Sequence, residues 1–125
     1  MLSVSVVIPV YNESEIISTA IETNYLSLLK LNCNFEIIIV DDGSADNSAS
    51  LITNCISNYQ NTFFIRKTKN EGMGAAFRTG LNITKKDMVI CVPADSPLDT
   101  ETLALFLEHK DKADVLVSYR IERLG

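Results

Sequence analysis

What most constrains this chain is an alternation. Short runs rich in β-branched residues, VSVVIPV (4–10), FEIIIV (35–40), TFFIRK (62–67), MVICV (88–92) and DVLVSY (114–119), are separated by segments of helical period. Several of these runs are apolar at consecutive positions, the pattern of strands buried on both faces. Between them Ile17, Ile21, Tyr25 and Leu28 step by four, four and three. Ala49, Ile52, Ile56 and Tyr59 repeat the stripe, as do Met73, Phe77 and Leu81, then Leu103, Phe106 and Leu107. Such an alternation predicts an α/β domain with a mostly parallel sheet and right-handed crossovers. At the helix starts, Asn12 with Glu15 predicts a capping box, and Ser44 and Asp99 are expected as N-caps. Lys110 and Lys112 stand where cations suit the end of the last helix.

With 125 residues the chain is expected to form one domain with a real core. Its net charge of −5 argues against nucleic acid as a partner, since that binding needs basic patches to neutralise phosphates. An acidic protein can still take an anionic ligand through a bridging cation. Cys33, Cys55 and Cys91 are widely spaced, odd in number and without a C-x-x-C pair, so free, buried or half-buried thiols in a reducing cytosol are expected. Cys91, inside an apolar run, supports that reading. The N-terminus lacks a basic region and is interrupted by Pro9, which excludes a signal peptide, and no apolar run approaches the roughly 20 residues of a membrane span. A soluble, cytoplasmic chain is therefore expected. It stops at RIERLG just past a strand, with one side of the sheet uncovered, which suggests the front part of something longer and leaves room for a homodimer.

Open parallel sheets bind ligands beyond the carboxyl ends of their strands. The residues to weigh there are Pro9 to Glu13 after the first strand and Asp41-Asp42-Gly43-Ser44 after the second. Asn70-Glu71-Gly72-Met73-Gly74 follow the third, Pro93-Ala94-Asp95 the fourth and Arg120 the fifth. Asp41 and Asp42 are adjacent, so the period of two points them to opposite sides. One is expected to reach the crevice while the other holds the Gly43-Ser44 turn. Gly72 and Gly74, before a helix, let backbone approach a ligand; Ala76 and Gly80 suit close helix–sheet packing.

Taken in order, VSVVIPVYNE, EIIIVDDGSADNS, NEGMGAAFRTG, VPADSPLD and ADVLVSYR resemble family 2 glycosyltransferases of the GT-A fold, a Rossmann-like nucleotide-sugar-binding half. The likeness is greatest to the branch that loads sugars onto polyprenyl or dolichyl phosphate. It implies a UDP- or GDP-linked sugar donor bound with Mg²⁺ or Mn²⁺, and a lipid-phosphate or glycan acceptor. In that resemblance Pro9, Tyr11 and Glu13 lie along the nucleotide. Asp42 matches the acid that contacts the base and Asp41 supports the turn. Asn70 and Gly72 border the donor pocket, and Arg120 meets diphosphate or an acceptor phosphate. Where the family usually has Asp-x-Asp, this chain has Pro93-Ala94-Asp95, leaving Asp95 as the metal ligand. One carboxylate can suffice, because Mg²⁺ at nucleotide sites takes one or two carboxylates plus phosphates and waters. The implied reaction is attack of an acceptor oxygen on the anomeric carbon, with inversion. Any base would come from acceptor-side residues, which the family carries beyond the fifth strand and so beyond residue 125. In a full-length relative this half would lie at the cytoplasmic face of a membrane.

Two other readings compete. A response-regulator receiver matches the length and the acidic pair, but needs that pair after the first strand and a lysine after the fifth. A nucleotide-binding remnant without catalysis is compatible with the incomplete Asp-x-Asp.

Overall fold

The computed structural model describes residues 3–109 and shows four parallel strands with four helices between and after them. The order along the chain is β1 (Ser3–Val10), α1 (Ile17–Lys30), β2 (Asn34–Asp41), α2 (Ser48–Ile56), β3 (Thr62–Arg66), α3 (Met73–Leu81), β4 (Met88–Cys91) and α4 (Thr100–Glu108). The first four predicted strands are present; the fifth, 114–119, lies outside the described residues, with Lys110, Lys112 and Arg120. Across the sheet the strands run β3-β2-β1-β4. The chain therefore moves outward from β1 to β3, then crosses back to lay β4 on the other side of β1.

Period two sorts the central strands onto two cores. Val4, Val6, Ile8 and Val10 of β1 join Phe35, Ile37 and Ile39 of β2 beneath Ile17, Ile21 and Leu28 of α1, Ile52 of α2 and Leu103 of α4. Val7, Ile38 and Val40 point the other way, against Ala76 and Phe77 of α3. Strands with a helix layer on each face must be apolar throughout, which explains the unbroken runs.

α3 departs from the expected stripe. Met73 and Leu81 are exposed, and the inward face is Ala76 and Gly80. The helix comes so close that a Cβ on Gly80 would sit 2.5 Å from Cγ1 of Val7 and 3.1 Å from Cγ2 of Val40. Both valines are buried and β-branched, with little freedom to turn aside. Gly80→Ala is expected to destabilise the chain by about 1–3 kcal/mol, seen as a lower urea midpoint at unchanged slope.

Cys33 and Cys55 are half-buried, as expected, but Cys91 is exposed. It is the last residue of β4, two beyond Val89, which still packs against the Ala76 cluster, and β4 is the outermost described strand at that edge of the sheet.

Candidate functional site

The β1/β4 boundary is where the direction of the chain reverses, so a crevice is expected beyond these strand ends. Pro9 helps to open it. β1 pairs with β4 only through Val7, opposite Cys91, and the bond from Val92 N to Val7 O (2.8 Å) closes that ladder. Two residues on, Pro9 turns toward the same side but has no N–H to offer, so the strands part there. On the other side β1 stays paired with β2 through Val10 and Asp41.

The loops after β1 and β2 are bound into one unit. Asn12 has φ 52°, and its Oδ1 accepts from the N–H groups of Ala45 (2.8 Å) and Asp46 (3.3 Å). Asn12 N donates to Ser44 Oγ (2.8 Å), Glu13 N to Ser48 Oγ (2.9 Å) and Ser14 N to Asp46 Oδ2 (3.2 Å). This corrects two expectations. Asn12 and Glu15 form no capping box: α1 begins at Ile17 with no side-chain cap, and Asn12 spends its oxygen on the neighbouring loop. Ser44 caps no helix either, because α2 starts four residues later at Ser48 and the Ser44 hydroxyl donates to Asp41 Oδ1. Tertiary partners outbid the local pattern in both places.

Asp41 and Asp42 do divide their work. Asp41 holds the turn, accepting from Ser44 N (3.1 Å) as well as from its hydroxyl. Asp42 points under residues 67–72. Its Oδ1 accepts from Glu71 N (3.1 Å) and lies 3.3 Å from Lys67 Nζ, while its Oδ2 accepts from Gly72 N (2.8 Å). Burial alone would raise its pKa, but these N–H bonds and the lysine outweigh it and hold the group below the usual carboxylate range. Lys67 also meets Glu71 at 3.0 Å. Asn70, exposed, accepts from Gly72 N through Oδ1 at 3.0 Å. Gly72 itself takes φ 101°, and a Cβ there or on Gly74 would meet nothing within 4 Å. These two glycines thus turn bare backbone toward open space at the start of α3.

Asp95 occupies the tip of a turn in which Ser96 N donates to Pro93 O at 3.1 Å, and its carboxylate is exposed at the end of β4. It is close enough to act on Glu13 of the β1 loop. Burial, then Asp95, then Asp46 raise the Glu13 pKa above its ordinary value. Negative charge thus gathers between the ends of β1 and β4 without a compensating cation among those causes. Asp99 is the N-cap predicted: its Oδ1 accepts from Thr102 N at 2.7 Å.

Sequence reasoning missed what fixes the Asp95 turn. Asn24 and Ser27 of α1 are buried and grip both main-chain groups of Leu98: Leu98 N donates to Asn24 Oδ1 (3.1 Å), and Ser27 Oγ donates to Leu98 O (3.0 Å). The signal was two polar residues on the stripe formed by Ile17, Ala20, Ile21 and Leu28.

Comparison with known proteins agrees with this fold. The solved structure of a mannosyltransferase from Pyrobaculum calidifontis, in complex with GDP-Man and Mn²⁺, superposes with a TM-score of 0.72 at 23% identity over 84% of this chain and 31% of that one. S. aureus TarS 1–349 in complex with UDP-GlcNAc gives 0.69 at 26% identity over 87% of this chain and 32% of that one. The fold is thus that of GT-A glycosyltransferases, an α/β, Rossmann-like parallel sheet. The sequence profile of glycosyl transferase family 2 matches residues 5–123, and the chain belongs to that family. Among curated relatives, the undecaprenyl-phosphate 4-deoxy-4-formamido-L-arabinose transferase of Pectobacterium atrosepticum is 35% identical over 123 residues, 97% of this chain and 38% of that protein. The enzyme of the same name from Proteus mirabilis is 40% identical over 93 residues, 74% of this chain and 28% of its own length. The chain therefore spans less than two fifths of the length of these relatives. Among the described residues no helix is long and apolar enough to cross a membrane.

Proposed function

We propose that this chain forms the donor side of a glycosyltransferase site, which binds a nucleotide-diphosphate sugar for transfer to a polyprenyl phosphate. The observation that carries the reading is the meeting of the Pro9 to Glu13 and Pro93 to Asp95 loops at the reversal point of the sheet, each fixed by side chains from a neighbouring element. Pro9, Tyr11 and Glu13 line the nucleotide side. Asp41 and Asp42 secure the wall beside it, Asn70 and Gly72 form its rim, and Arg120 is assigned to a phosphate of donor or acceptor.

The residues at the crevice fit a divalent cation. Asp95 offers an exposed carboxylate, and Glu13 carries a charge that its acidic neighbours disfavour. Among the described residues no three His, Cys, Asp or Glu side chains group closely enough to hold an ion. Asp95 would therefore hold Mg²⁺ or Mn²⁺ together with donor phosphates and waters, and the bound ion would supply charge to stabilise the departing diphosphate. The protein's own part is to fix the donor. The loops hydrogen-bonded through Asn12, Ser44 and Ser48 are set before a ligand arrives, so little ordering is required on binding. An acceptor phosphate oxygen then attacks the anomeric carbon, the bond to the nucleoside diphosphate breaks and the configuration inverts. Being already an anion, that oxygen has no proton for a base to remove. With a polyprenyl acceptor the reaction would take place at a membrane surface, which this reading takes to be the cytoplasmic face.

Calorimetric titration with UDP and GDP, each with and without Mn²⁺, tests the proposal. One nucleotide is expected to bind with a metal-dependent gain, and Asp95→Asn is expected to remove roughly tenfold of it, about 1.4 kcal/mol. Metal-dependent binding unchanged in Asp95→Asn would remove Asp95 from the metal site. Absence of nucleotide binding by the wild-type chain would refute the donor site in these residues.

A further inference from the structure

The turn that presents Asp95 is held at both ends. Val92 N donates to Val7 O of β1 at 2.8 Å. At the far end α1 takes both main-chain groups of Leu98, through Asn24 Oδ1 (3.1 Å) and Ser27 Oγ (3.0 Å). Between these points Ala94 is buried with Leu98 in the core beneath α1, whereas Asp95 is exposed. Apolar burial is non-directional and lets a segment slide, but paired bonds to an N–H and a carbonyl fix it in register. Asn24 is itself oriented: its Nδ2 donates to Ala20 O at 2.8 Å, which leaves Oδ1 for Leu98 N. The same helix carries the other loop of the crevice, since Glu13 O accepts from Ile16 N (3.1 Å) and Ile17 N (2.9 Å) where α1 begins. One rigid element thus sets the Asp95 turn relative to the Glu13 loop. It does so against a force, because the two carboxylates repel each other.

We propose that Asn24 and Ser27 position the metal ligand: through Leu98 they hold Asp95 beside Glu13, so that its carboxylate is in place before Mg²⁺ or Mn²⁺ binds. This inference deepens the donor-site reading above and rests on it. Groups that orient a metal ligand from behind tune its affinity for the ion. Here the link runs along the backbone from Leu98 to Asp95, so the expected effect is smaller than that of losing the carboxylate. Pro97, inside that link, has its φ fixed, so a displacement at Leu98 is passed on toward Asp95. A buried amide and hydroxyl on the apolar stripe of α1 are costly without partners, and neither residue is a strong helix former. A purely structural role would require the same bonds but not the same consequence. It would weaken the fold without singling out the metal.

The test is titration of the whole chain with UDP and GDP, each with and without Mn²⁺. Wild type is compared with Asn24→Leu, Ser27→Ala and Ser27→Thr, and the first two are repeated together with Asp95→Asn. Amide hydrogen exchange at Leu98 is followed in the same proteins without ligand. Asn24→Leu and Ser27→Ala are expected to reduce the metal-dependent gain about threefold, to leave metal-free nucleotide affinity unchanged and to speed exchange at Leu98. Ser27→Thr, which keeps the hydroxyl, retains the wild-type gain. With Asp95 already changed to Asn, neither substitution lowers the gain further, because both act through that carboxylate. Equal weakening with and without Mn²⁺ would overturn the proposal and leave the pair a structural role, as would an undiminished loss in the Asp95→Asn background. So would a wild-type gain in both Asn24→Leu and Ser27→Ala. Should Asn24→Leu fail to fold, the Ser27 variants decide the matter. If the wild-type chain shows no metal-dependent gain, the donor reading fails and this role with it. A gain lost in Asp95→Asn but kept by the α1 variants sinks this role alone.

Discussion

Alanine in place of Gly43 is expected to lower the unfolding free energy by about 3 kcal/mol and to loosen residues 67–72 at the same time. Two causes act together. Gly43 has φ +74°, in the left-handed region, where a side chain costs roughly 1–2 kcal/mol. The added Cβ would also come within 3.0 Å of three backbone atoms, two of Lys69 and one of Asn70. Backbone cannot swing away as the tip of a lysine could, so either the turn or the loop must shift. A shift of the loop pulls Glu71 N and Gly72 N from Asp42, and a shift of the turn disturbs Ser44 on Asp41. Urea unfolding checks the energy, and hydrogen exchange at Glu71 and Gly72 shows which of the two gives way. A loss of only about 1 kcal/mol would mean that the loop retreats without strain and that the contact is incidental. Gly72→Ala makes a useful control, because that glycine also has positive φ but open space around it, so strain acts there without overlap.

Much of this architecture was legible because strands buried on both faces must be apolar at consecutive positions, and VSVVIPV and FEIIIV are so patterned. The motif positions at the strand ends followed from the parallel sheet itself. The hydrogen-bond partners were not legible, and the reason is physical. Asn12 can cap a helix or bridge to another loop, and only the approach of Ala45 and Asp46 decides between them. Asp99, with no such competitor, became the cap that its sequence predicts. α3 shows both sides of this: Met73 and Leu81 belong to a stripe that the fold leaves exposed, whereas Ala76 and Gly80, read from the sequence as suited to close packing, do lie against the sheet beside Phe77.

Glu36→Ala is expected to cost about 2–4 kcal/mol, although the residue lies far from the strand ends where ligands bind. Glu36 stands near the start of β2, on the α3 side of the sheet, directly opposite Ser5 in the parallel register. It is buried, as is Ser5, and one oxygen serves two donors: the Ser5 hydroxyl at 2.6 Å and the backbone N–H of Lys85 at 2.7 Å. A carboxylate in an apolar core survives only with such partners. Here it joins β1, β2 and the connection from α3 to β4, which at this end is otherwise tied by the exposed bonds of Lys86 Nζ to Asn34 Oδ1 and Asp87 N to Ser3 Oγ, both 3.2 Å. Truncation leaves the Ser5 hydroxyl without its partner inside the protein and opens a cavity beside it. Glu36→Gln, which keeps an acceptor oxygen of similar reach, is expected to lose only about 1 kcal/mol. Urea midpoints of the two variants measure the difference, with nucleotide titration of the folded protein alongside. Equal losses for alanine and glutamine would show that charge, rather than an acceptor at that point, holds the connection. Unchanged nucleotide affinity in Glu36→Gln is expected on either account, since the reversal point that shapes the crevice is at the opposite end of β1.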